Sequence, residues 1–197
     1  MSFQTPEVAD IPRVIAIAGE QRVAKGSGAT LDHLYPANGQ VTTRLQLAGE
    51  QEVDLAVKAA RSALPQWKAA SSEIRRNLLL KVADLIEQKT TELAELDTLG
   101  NGYPSMISPY TPPVVAQRFR YYAGWADKIR GETLDAWNGP AHNYANYEPY
   151  GVIGAIVPWN GPLFAAAMVL APALAAGNCV VLKAPELAPY SVMRLAE

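Results

Sequence analysis

The chain is poor in the residues that mark secreted, metal-binding and nucleic-acid-binding proteins. Its 197 residues include one cysteine, Cys179, and two histidines, so an intrachain disulfide is excluded and we expect no metal site. The 17 basic and 19 acidic residues leave a net charge of -2, without the basic patch that nucleic-acid binding requires. The N-terminal sequence shows no basic segment followed by an apolar core, so we expect a cytoplasmic protein.

The longest stretch without charge, residues 151–182, first suggests a membrane span. A span needs roughly 20 consecutive apolar residues. Here proline, glycine and asparagine interrupt the stretch repeatedly, at Pro158, Asn160, Gly161, Pro162, Gly177 and Asn178. Its longest apolar piece, residues 163–176, is better interpreted as a buried helix. We therefore expect no membrane role, and the 49% hydrophobic content instead suits one large or two small domains with a sizeable core.

The order of patterns in this stretch predicts a parallel α/β sheet. Residues 152–157 are β-branched or small and do not alternate, as expected of a strand covered on both faces. An apolar helix over 162–176 and a second strand over 179–182 complete a βαβ unit. Because parallel strands end at one edge, where such sheets bind ligands, the residues after each strand are candidate site residues.

The polar residues at this edge allow two interpretations each. Asn160 could donate its amide to an oxygen that becomes negative in a transition state, or it could bond its own backbone in a turn. Lys183 and Glu186 could hold the hydroxyl groups of a ribose. They could equally form a surface ion pair at the start of a helix. Residue spacing alone favours the turn bond for Asn160, and it does not decide between the two interpretations of Lys183 and Glu186.

Upstream, the sequence predicts short strands over residues 13–47 and then several helices. Asn38-Gly39 marks a hairpin turn. A helix containing Val53, Val57, Ala60 and Leu64 is expected to end at Pro65. The next helix has Ser71 or Ser72 as its N-cap, with an apolar stripe of Ile74, Leu78, Val82, Leu85 and Ile86. Its charged residues Arg75, Arg76, Lys81 and Glu87 are expected to face the solvent.

Two further helices and a ribbon follow. A helix over residues 92–99 ends in a Gly100-Asn101-Gly102 cap, and another over 114–129 carries Phe119, Tyr121, Tyr122 and Trp125. Aromatic residues at this spacing could form a cofactor box, but packing against a sheet is the simpler interpretation. Residues 132–148 are polar on both faces around Asn138-Gly139, which indicates an extended hairpin on a surface or at a subunit interface.

Several of these segments resemble the NAD(P)-dependent aldehyde dehydrogenase superfamily. The resemblance is carried by PWN followed by APALAAGN, within EPYGVIGAIVPWNGPLFAAAMVLAPALAAGNCVVLKAPELAPYSVMRLAE. LYPANGQV is similar to the family's "NPATGE" hairpin, and ELDTLGNGYP to its "DNGKP" helix end. RYYAGWADKIRGETL is similar to the helix before the family's oligomerisation ribbon. The resemblance covers almost the whole chain.

The resemblance implies an incomplete α/β fold with a Rossmann-like parallel sheet. Residues 1–131 and 149–197 would be the N-terminal part of a cofactor-binding domain, and 132–148 an oligomerisation ribbon of a dimeric or tetrameric homo-oligomer. The catalytic domain would be absent. Among the site residues, Asn160 would be the catalytic oxyanion donor. The implied cofactor-binding residues are Ile156, Val157, Pro158, Trp159, Asn160, Lys183, Ala184, Pro185 and Glu186.

Family chemistry implies oxidation of an aldehyde to an acid by NAD, with NADP as the alternative, through a Cys thiohemiacetal. Glu186 favours NAD because it would repel a 2′-phosphate. The family's cysteine, its general base and its pyrophosphate-binding turn would lie beyond residue 197. Cys179 is no substitute, because it opens an apolar strand where a thiol is neutral.

Three residues depart from the family pattern. KAPE replaces Lys-Pro-x-Glu with Ala184 and Pro185 exchanged, Val169 replaces a frequent lysine, and Tyr103 replaces the lysine of "DNGKP". Two hypotheses remain. The chain is either the leading part of an aldehyde dehydrogenase, inactive alone, or a non-catalytic binding or assembly module of the same fold.

Overall fold

The computed structural model describes residues 12, 16–18, 21–23, 25–137 and 139–197 of an α/β chain. Its strands are β1 (Ala16–Ala18), β2 (Gln21–Val23), β3 (Thr30–Leu34), β4 (Val41–Gln46), β5 (Glu132–Leu134), β6 (Asn143–Ala145), β7 (Val152–Ile156) and β8 (Cys179–Lys183). Its helices are α1 (Glu50–Ala69), α2 (Ser72–Gln88), α3 (Thr90–Asn101), α4 (Thr111–Ala123), α5 (Pro162–Ala175) and α6 (Tyr190–Ala196), with a 3-10 turn at Ser108–Tyr110. The strands form three antiparallel pairs and one parallel pair, β7 with β8.

The hairpin predicted at Asn38-Gly39 is confirmed between β3 and β4. Gly39 has φ +72°, a left-handed conformation that glycine adopts without a steric cost. The Asn38 side-chain oxygen accepts a hydrogen bond from the Gln40 amide at 2.9 Å. The second predicted hairpin is also present as the β5 and β6 ribbon, although Asn138 lies outside the described residues. Every residue of its two strands is exposed.

Helix α1 does not end at Pro65 as predicted, but continues to Ala69. A proline inside a helix removes the hydrogen bond to the carbonyl four residues earlier, here that of Arg61. Both residues are exposed, so water can satisfy this carbonyl. The helix starts after Gly49, whose backbone amide donates to the Glu52 carboxylate at 2.7 Å, which is the backbone half of a capping box.

In α2, Ser71 is the N-cap, and its hydroxyl oxygen accepts from the Ile74 amide at 3.2 Å. The predicted apolar stripe was only partly correct, since Ile86 is buried and Val82 packs against the core, but its other members face away. The buried residues are Leu79, Ala83 and Ile86, whereas Ile74, Leu78 and Leu85 of the predicted stripe are exposed. Three successive leucines, residues 78–80, occur near the helix start, so periodicity alone could not decide which one faces the core.

Arg75 also differs from its prediction, because it does not face the solvent but is half-buried. Its Nε donates to the carbonyl of Ala175 at 3.1 Å, and its Nη1 donates to the carbonyl of Ala70. These carbonyls lie at the ends of α5 and α1, where a cation complements the helix dipole. Arg75 therefore ties three helices together.

The predicted cap of α3 is confirmed at Gly102, which has φ +75°, although Gly100 and Asn101 belong to the last turn of the helix. Helix α4 begins earlier than the predicted start at residue 114, and it also ends earlier than the predicted end at residue 129. It ends early because the chain turns at residues 124–127. Its aromatic residues do not pack against a sheet as predicted. Phe119 is buried among helices, while Tyr121, and Trp125 in the turn after the helix, are about half exposed.

The main hydrophobic core lies between helices α2, α4 and α5, with a contribution from α3. Its fully buried members are Leu79, Ala83, Ile86, Leu93, Val115, Ala116, Phe119, Ala123, Leu163, Ala167, Ala171 and Ala175. The many alanines of α5 allow the neighbouring helices to approach closely. Among the described residues, no helix is long and apolar enough to cross a membrane.

The predicted βαβ unit is confirmed, with β7 and β8 parallel and in register from Val152 opposite Cys179 to Ile156 opposite Lys183. Asn178 joins the starts of the two strands, because the oxygen of its side chain accepts a hydrogen bond from the Gly151 amide at 3.0 Å. The prediction that β7 is covered on both faces was wrong. Ile156 is 83% exposed, since no described element packs over this end of the strand.

Candidate functional site

The parallel register brings the ends of β7 and β8 to one edge, as the sequence predicted. Ile156 and Lys183 are opposite each other, and the Val157 amide donates to the Lys183 carbonyl at 3.4 Å. The chain then leaves β7 through Pro158, Trp159 and Asn160, which we call the PWN turn. It leaves β8 through residues 184–189, which we call the KAPE turn. Both turns therefore start at the same edge of the sheet, where the carboxyl ends of β7 and β8 lie side by side.

All three residues of the PWN turn are exposed. Among the described residues, the Asn160 side chain has no hydrogen-bond partner. The bond to its own backbone, which would make it an ordinary turn residue, is not formed. The Asn160 amide is thus a free donor at the start of α5.

The ammonium of Lys183, the last residue of β8, forms an ion pair with the Glu186 carboxylate in the KAPE turn. Hydrogen bonding from Lys183 is the main cause that lowers the pKa of Glu186 below its ordinary value, so the carboxyl group is ionised at neutral pH. The surface ion pair of the second interpretation is therefore present, but Glu186 does not lie at the start of a helix as that interpretation also required, because α6 begins only at Tyr190. Ala184 is half-buried and Pro185 is buried. The Pro185 carbonyl accepts a hydrogen bond from the Ala188 amide at 3.2 Å.

The Lys183 and Glu186 side chains are 55% and 46% exposed. An exposed ion pair of this kind typically contributes only about 0–1 kcal/mol. An ammonium has three donors and a carboxylate about four acceptor positions. The pair can therefore open towards a ligand at little cost, or bind one with the donors and acceptors it does not use.

Cys179 lies at the opposite end of β8 from this edge, opposite Val152. At roughly 3.3 Å per residue, a five-residue strand separates the two ends by about 13 Å. Burial raises the pKa of the half-buried Cys179 thiol, which keeps it protonated. As expected from the sequence, its environment is that of an unreactive thiol.

The structure adds three side chains near the edge that the sequence analysis did not assign to it. The Asn101 amide approaches the Trp159 carbonyl at 3.5 Å, and its oxygen accepts from the Tyr103 amide at 2.9 Å. His33 and Tyr190 form a buried polar cluster behind the KAPE turn. Only the Gly100-Asn101-Gly102 pattern gave a signal for any of them, and it indicated a helix end.

A βαβ unit with polar side chains beyond the carboxyl ends of its strands is typical of the α/β proteins that bind ligands at this edge. The model of the aldehyde dehydrogenase family matches residues 23–197, and the chain belongs to this family.

Individual relatives agree with this assignment. Aldehyde dehydrogenase 1 of Tanacetum cinerariifolium is 45% identical over 166 residues, which are 83% of this chain and 33% of that protein. The mitochondrial aldehyde dehydrogenase of Leishmania tarentolae is 40% identical over 193 residues, 98% of this chain and 38% of that protein. The chain spans about a third of the length of these relatives.

Solved structures show the same fold. PnpE from Pseudomonas sp. WBC-3, in its complex with nicotinamide adenine dinucleotide, superposes with a TM-score of 0.89 at 40% identity, covering 95% of this chain and 38% of that one. An NADP-dependent enzyme of E. coli superposes with a TM-score of 0.90 at 29% identity, covering 96% of this chain and 40% of that one. The fold is that of the leading part of an aldehyde dehydrogenase.

Proposed function

We propose that this chain is the N-terminal, cofactor-binding part of an enzyme that oxidises an aldehyde to a carboxylic acid with NAD. One observation carries the proposal. A free amide donor, Asn160, and a charged pair, Lys183 with Glu186, stand beyond neighbouring strand ends of one parallel sheet. The family to which the chain belongs supports the same reaction.

In this proposal, Asn160 donates a hydrogen bond to the aldehyde oxygen as it becomes negatively charged. Its amide is exposed and has no partner among the described residues, so no existing bond must break. A donor fixed in such a position typically contributes 10²–10³-fold to the rate. Pro158 and Trp159 precede it and line the passage to the cofactor, and Ile156 and Val157 form the end of the strand beneath them.

Lys183 and Glu186 would hold the adenosine ribose of the cofactor, Lys183 as donor and Glu186 as acceptor. The residues fit this group, because an ionised carboxylate accepts two ribose hydroxyls while its neighbour remains a donor. Ala184 and Pro185 form the backbone that joins Lys183 to Glu186. A carboxylate here disfavours a 2′-phosphate through charge repulsion, so we propose NAD rather than NADP. The nicotinamide, when bound, supplies the hydride acceptor for the oxidation.

This chain supplies the oxyanion donor and the ribose contacts, but not the nucleophile. Cys179 has a raised pKa and lies at the far end of β8. We propose that the cysteine and the general base come from a part of the protein beyond these residues, as the length of the relatives suggests. Residues 1–197 alone should therefore not turn over an aldehyde.

We further propose that the protein is cytoplasmic and homo-oligomeric, with the β5 and β6 ribbon joining subunits. The ribbon exposes all residues of both strands. This exposure also favours the second candidate function, a non-catalytic assembly module that joins other subunits through the ribbon. The domain limits proposed are 1–131 with 149–197 for the cofactor-binding part and 132–148 for the ribbon.

Calorimetric titration of residues 1–197 with NAD tests the cofactor role. Glu186→Gln removes the charged acceptor and should weaken NAD binding about tenfold, since a hydrogen bond to a charged group contributes about 1.5–3 kcal/mol. Glu73→Gln is the matched control, because Glu73 is an exposed carboxylate in the first turn of α2. Equal affinities for the chain and its Glu186→Gln variant would contradict the proposal.

An activity assay tests the proposed inactivity of this part of the enzyme. Residues 1–197 should give no NAD-dependent oxidation of a panel of aldehydes. Turnover that Asn160→Ala abolishes would contradict the proposed inactivity of this part. A reading frame that continues with a cysteine and a glutamate in the family's contexts would favour the enzyme, and a genuine stop would favour the assembly module.

A further inference from the structure

His33 is a buried histidine, and both of its ring nitrogens have hydrogen-bond partners. It lies on β3, is 2% exposed, and stacks at a tilt on Tyr190 with 4.6 Å between ring centroids. Its Nε2 lies 3.0 Å from the Gly100 carbonyl and 3.2 Å from the Leu187 carbonyl. Its Nδ1 lies 2.6 Å from the Thr42 hydroxyl.

These partners determine the tautomer. Carbonyl oxygens only accept, so Nε2 must carry the proton and donate it to both. Nδ1 is then an acceptor for the Thr42 hydroxyl. Burial lowers the pKa of His33, in agreement with a neutral ring. A neutral ring with one shared N–H is the state that satisfies both carbonyls.

The two carbonyls belong to the two sides of the candidate site. Gly100 precedes Asn101, whose amide approaches the Trp159 carbonyl in the PWN turn. Leu187 follows Glu186 in the KAPE turn. One N–H therefore joins the end of α3, which supports the first turn, to the second turn.

We propose that His33 is a positioning residue that holds the KAPE turn and the α3 end together and so fixes Glu186 relative to the PWN turn. The consequence for NAD rests on the function proposed above. His33 touches no cofactor or substrate in this arrangement. It acts through the backbone carbonyls of Gly100 and Leu187.

The Tyr190 hydroxyl offers a control within the same cluster. It lies 2.8 Å from the hydroxyl of Thr42 and 2.8 Å from that of Thr43, and bonds neither turn. Tyr190→Phe removes a buried hydroxyl but keeps the ring against His33. It should lower the thermal stability and leave both turns in place.

Amide hydrogen exchange on residues 1–197 tests the proposal. The Ala188 amide, which donates to the Pro185 carbonyl, reports on the KAPE turn, and the Gly102 amide, which donates to the Thr98 carbonyl, reports on the α3 end. In His33→Leu both amides should exchange at least tenfold faster than in the unchanged chain. His33→Gln should restore protection, since the glutamine amide can replace the Nε2 donor. Tyr190→Phe should change neither amide beyond the general loss of stability.

Several outcomes would overturn the inference. Unchanged exchange at either amide in His33→Leu would show that His33 does not join the turns, and acceleration of the same size in Tyr190→Phe would show only general loosening. Nitrogen-15 NMR of the unchanged chain gives a test that requires no variant. A neutral ring that carries its single proton on Nδ1 could not donate to the carbonyls from Nε2 and would equally overturn the inference.

The NAD titration keeps this inference separate from the proposed function. If both are correct, His33→Leu weakens NAD binding severalfold and His33→Gln restores it, whereas Tyr190→Phe lowers the melting temperature without a change in affinity. If Glu186→Gln leaves NAD affinity unchanged, the proposed function fails. The exchange pattern still decides the role of His33.

Discussion

Asp97 is a buried carboxyl group in the middle of α3, 4% exposed, beside Ser191 of α6. Burial raises its pKa from 3.8 to about 6, because a charged carboxylate is poorly solvated there. The nearby Ser191 hydroxyl lowers it by a smaller amount. The folded protein therefore binds a proton at this position more tightly than the unfolded chain does.

This shift predicts a loss of stability as the pH rises. Below pH 3.8 both states hold the proton and the contribution is complete, and it disappears as the pH rises through about 6. A shift of about two units corresponds to about 3 kcal/mol. We expect the difference in free energy of unfolding between the chain and its Asp97→Asn variant to change by a few kcal/mol between pH 4 and 7.

Urea unfolding of both proteins at several pH values measures this difference. The comparison cancels the opposite effect of His33, whose lowered pKa makes stability rise with pH up to the ordinary histidine value of 6.5. A difference in the free energy of unfolding that stays constant from pH 4 to 7 would contradict the raised pKa of the buried Asp97 carboxyl group.

At the scale of a single helix, Ser71 and Ser72 provide a direct comparison. The sequence allowed either as the N-cap of α2, and the structure assigns Ser71. Ser71→Ala should lower the free energy of unfolding by about 1 kcal/mol, because the Ile74 amide loses its partner. Ser72→Ala should change it by less than about 0.5 kcal/mol, as usual for sites without such a role. Denaturant unfolding of the two variants measures these changes. A larger loss of stability in Ser72→Ala than in Ser71→Ala would contradict Ser71 as the N-cap and place the helix start one residue later.

The elements differ in how well the sequence predicts them. Around α5, glycine, proline and asparagine mark every boundary, so both strands and the helix were predicted within one or two residues. In α2 the helix was predictable but its buried face was not, since consecutive leucines suit several faces. In α1, Pro65 misled because a proline on the exposed side of a helix need not end it.

The site was predictable where it depends on strand ends and unpredictable where it depends on tertiary contacts. Asn160, Lys183 and Glu186 follow predicted strands, so the sequence placed them at one edge. His33 and Leu187 are separated by 154 positions, and no local pattern connects them. Only folding brings this donor to its carbonyl.

At the scale of the whole molecule, exposed apolar side chains at the sheet edge predict self-association. Ile156, Trp159 and Leu187 are 83%, 57% and 58% exposed, and all lie at or after the strand ends. The net charge of -2 gives little repulsion between copies. We expect residues 1–197 to associate as concentration increases, since exposed apolar patches favour association.

Sedimentation velocity at increasing concentration measures this association. Ile156→Thr should reduce it and keep the strand, because threonine is also β-branched. Met106→Thr is the matched control, since Met106 is 78% exposed in the turn between α3 and the 3-10 turn. Equal effects of the two substitutions would show that association does not involve this edge.

The position of Cys179 has a practical consequence. A thiol that is alone in the sequence, half-buried and kept protonated should react with a thiol reagent mainly when the start of β8 separates from β7. The labelling rate then measures how often the parallel pair opens, from a point remote from the proposed ligand edge. A ligand that slows labelling would be doing so through the strands themselves, which makes this cysteine a reporter of how firmly the sheet is closed.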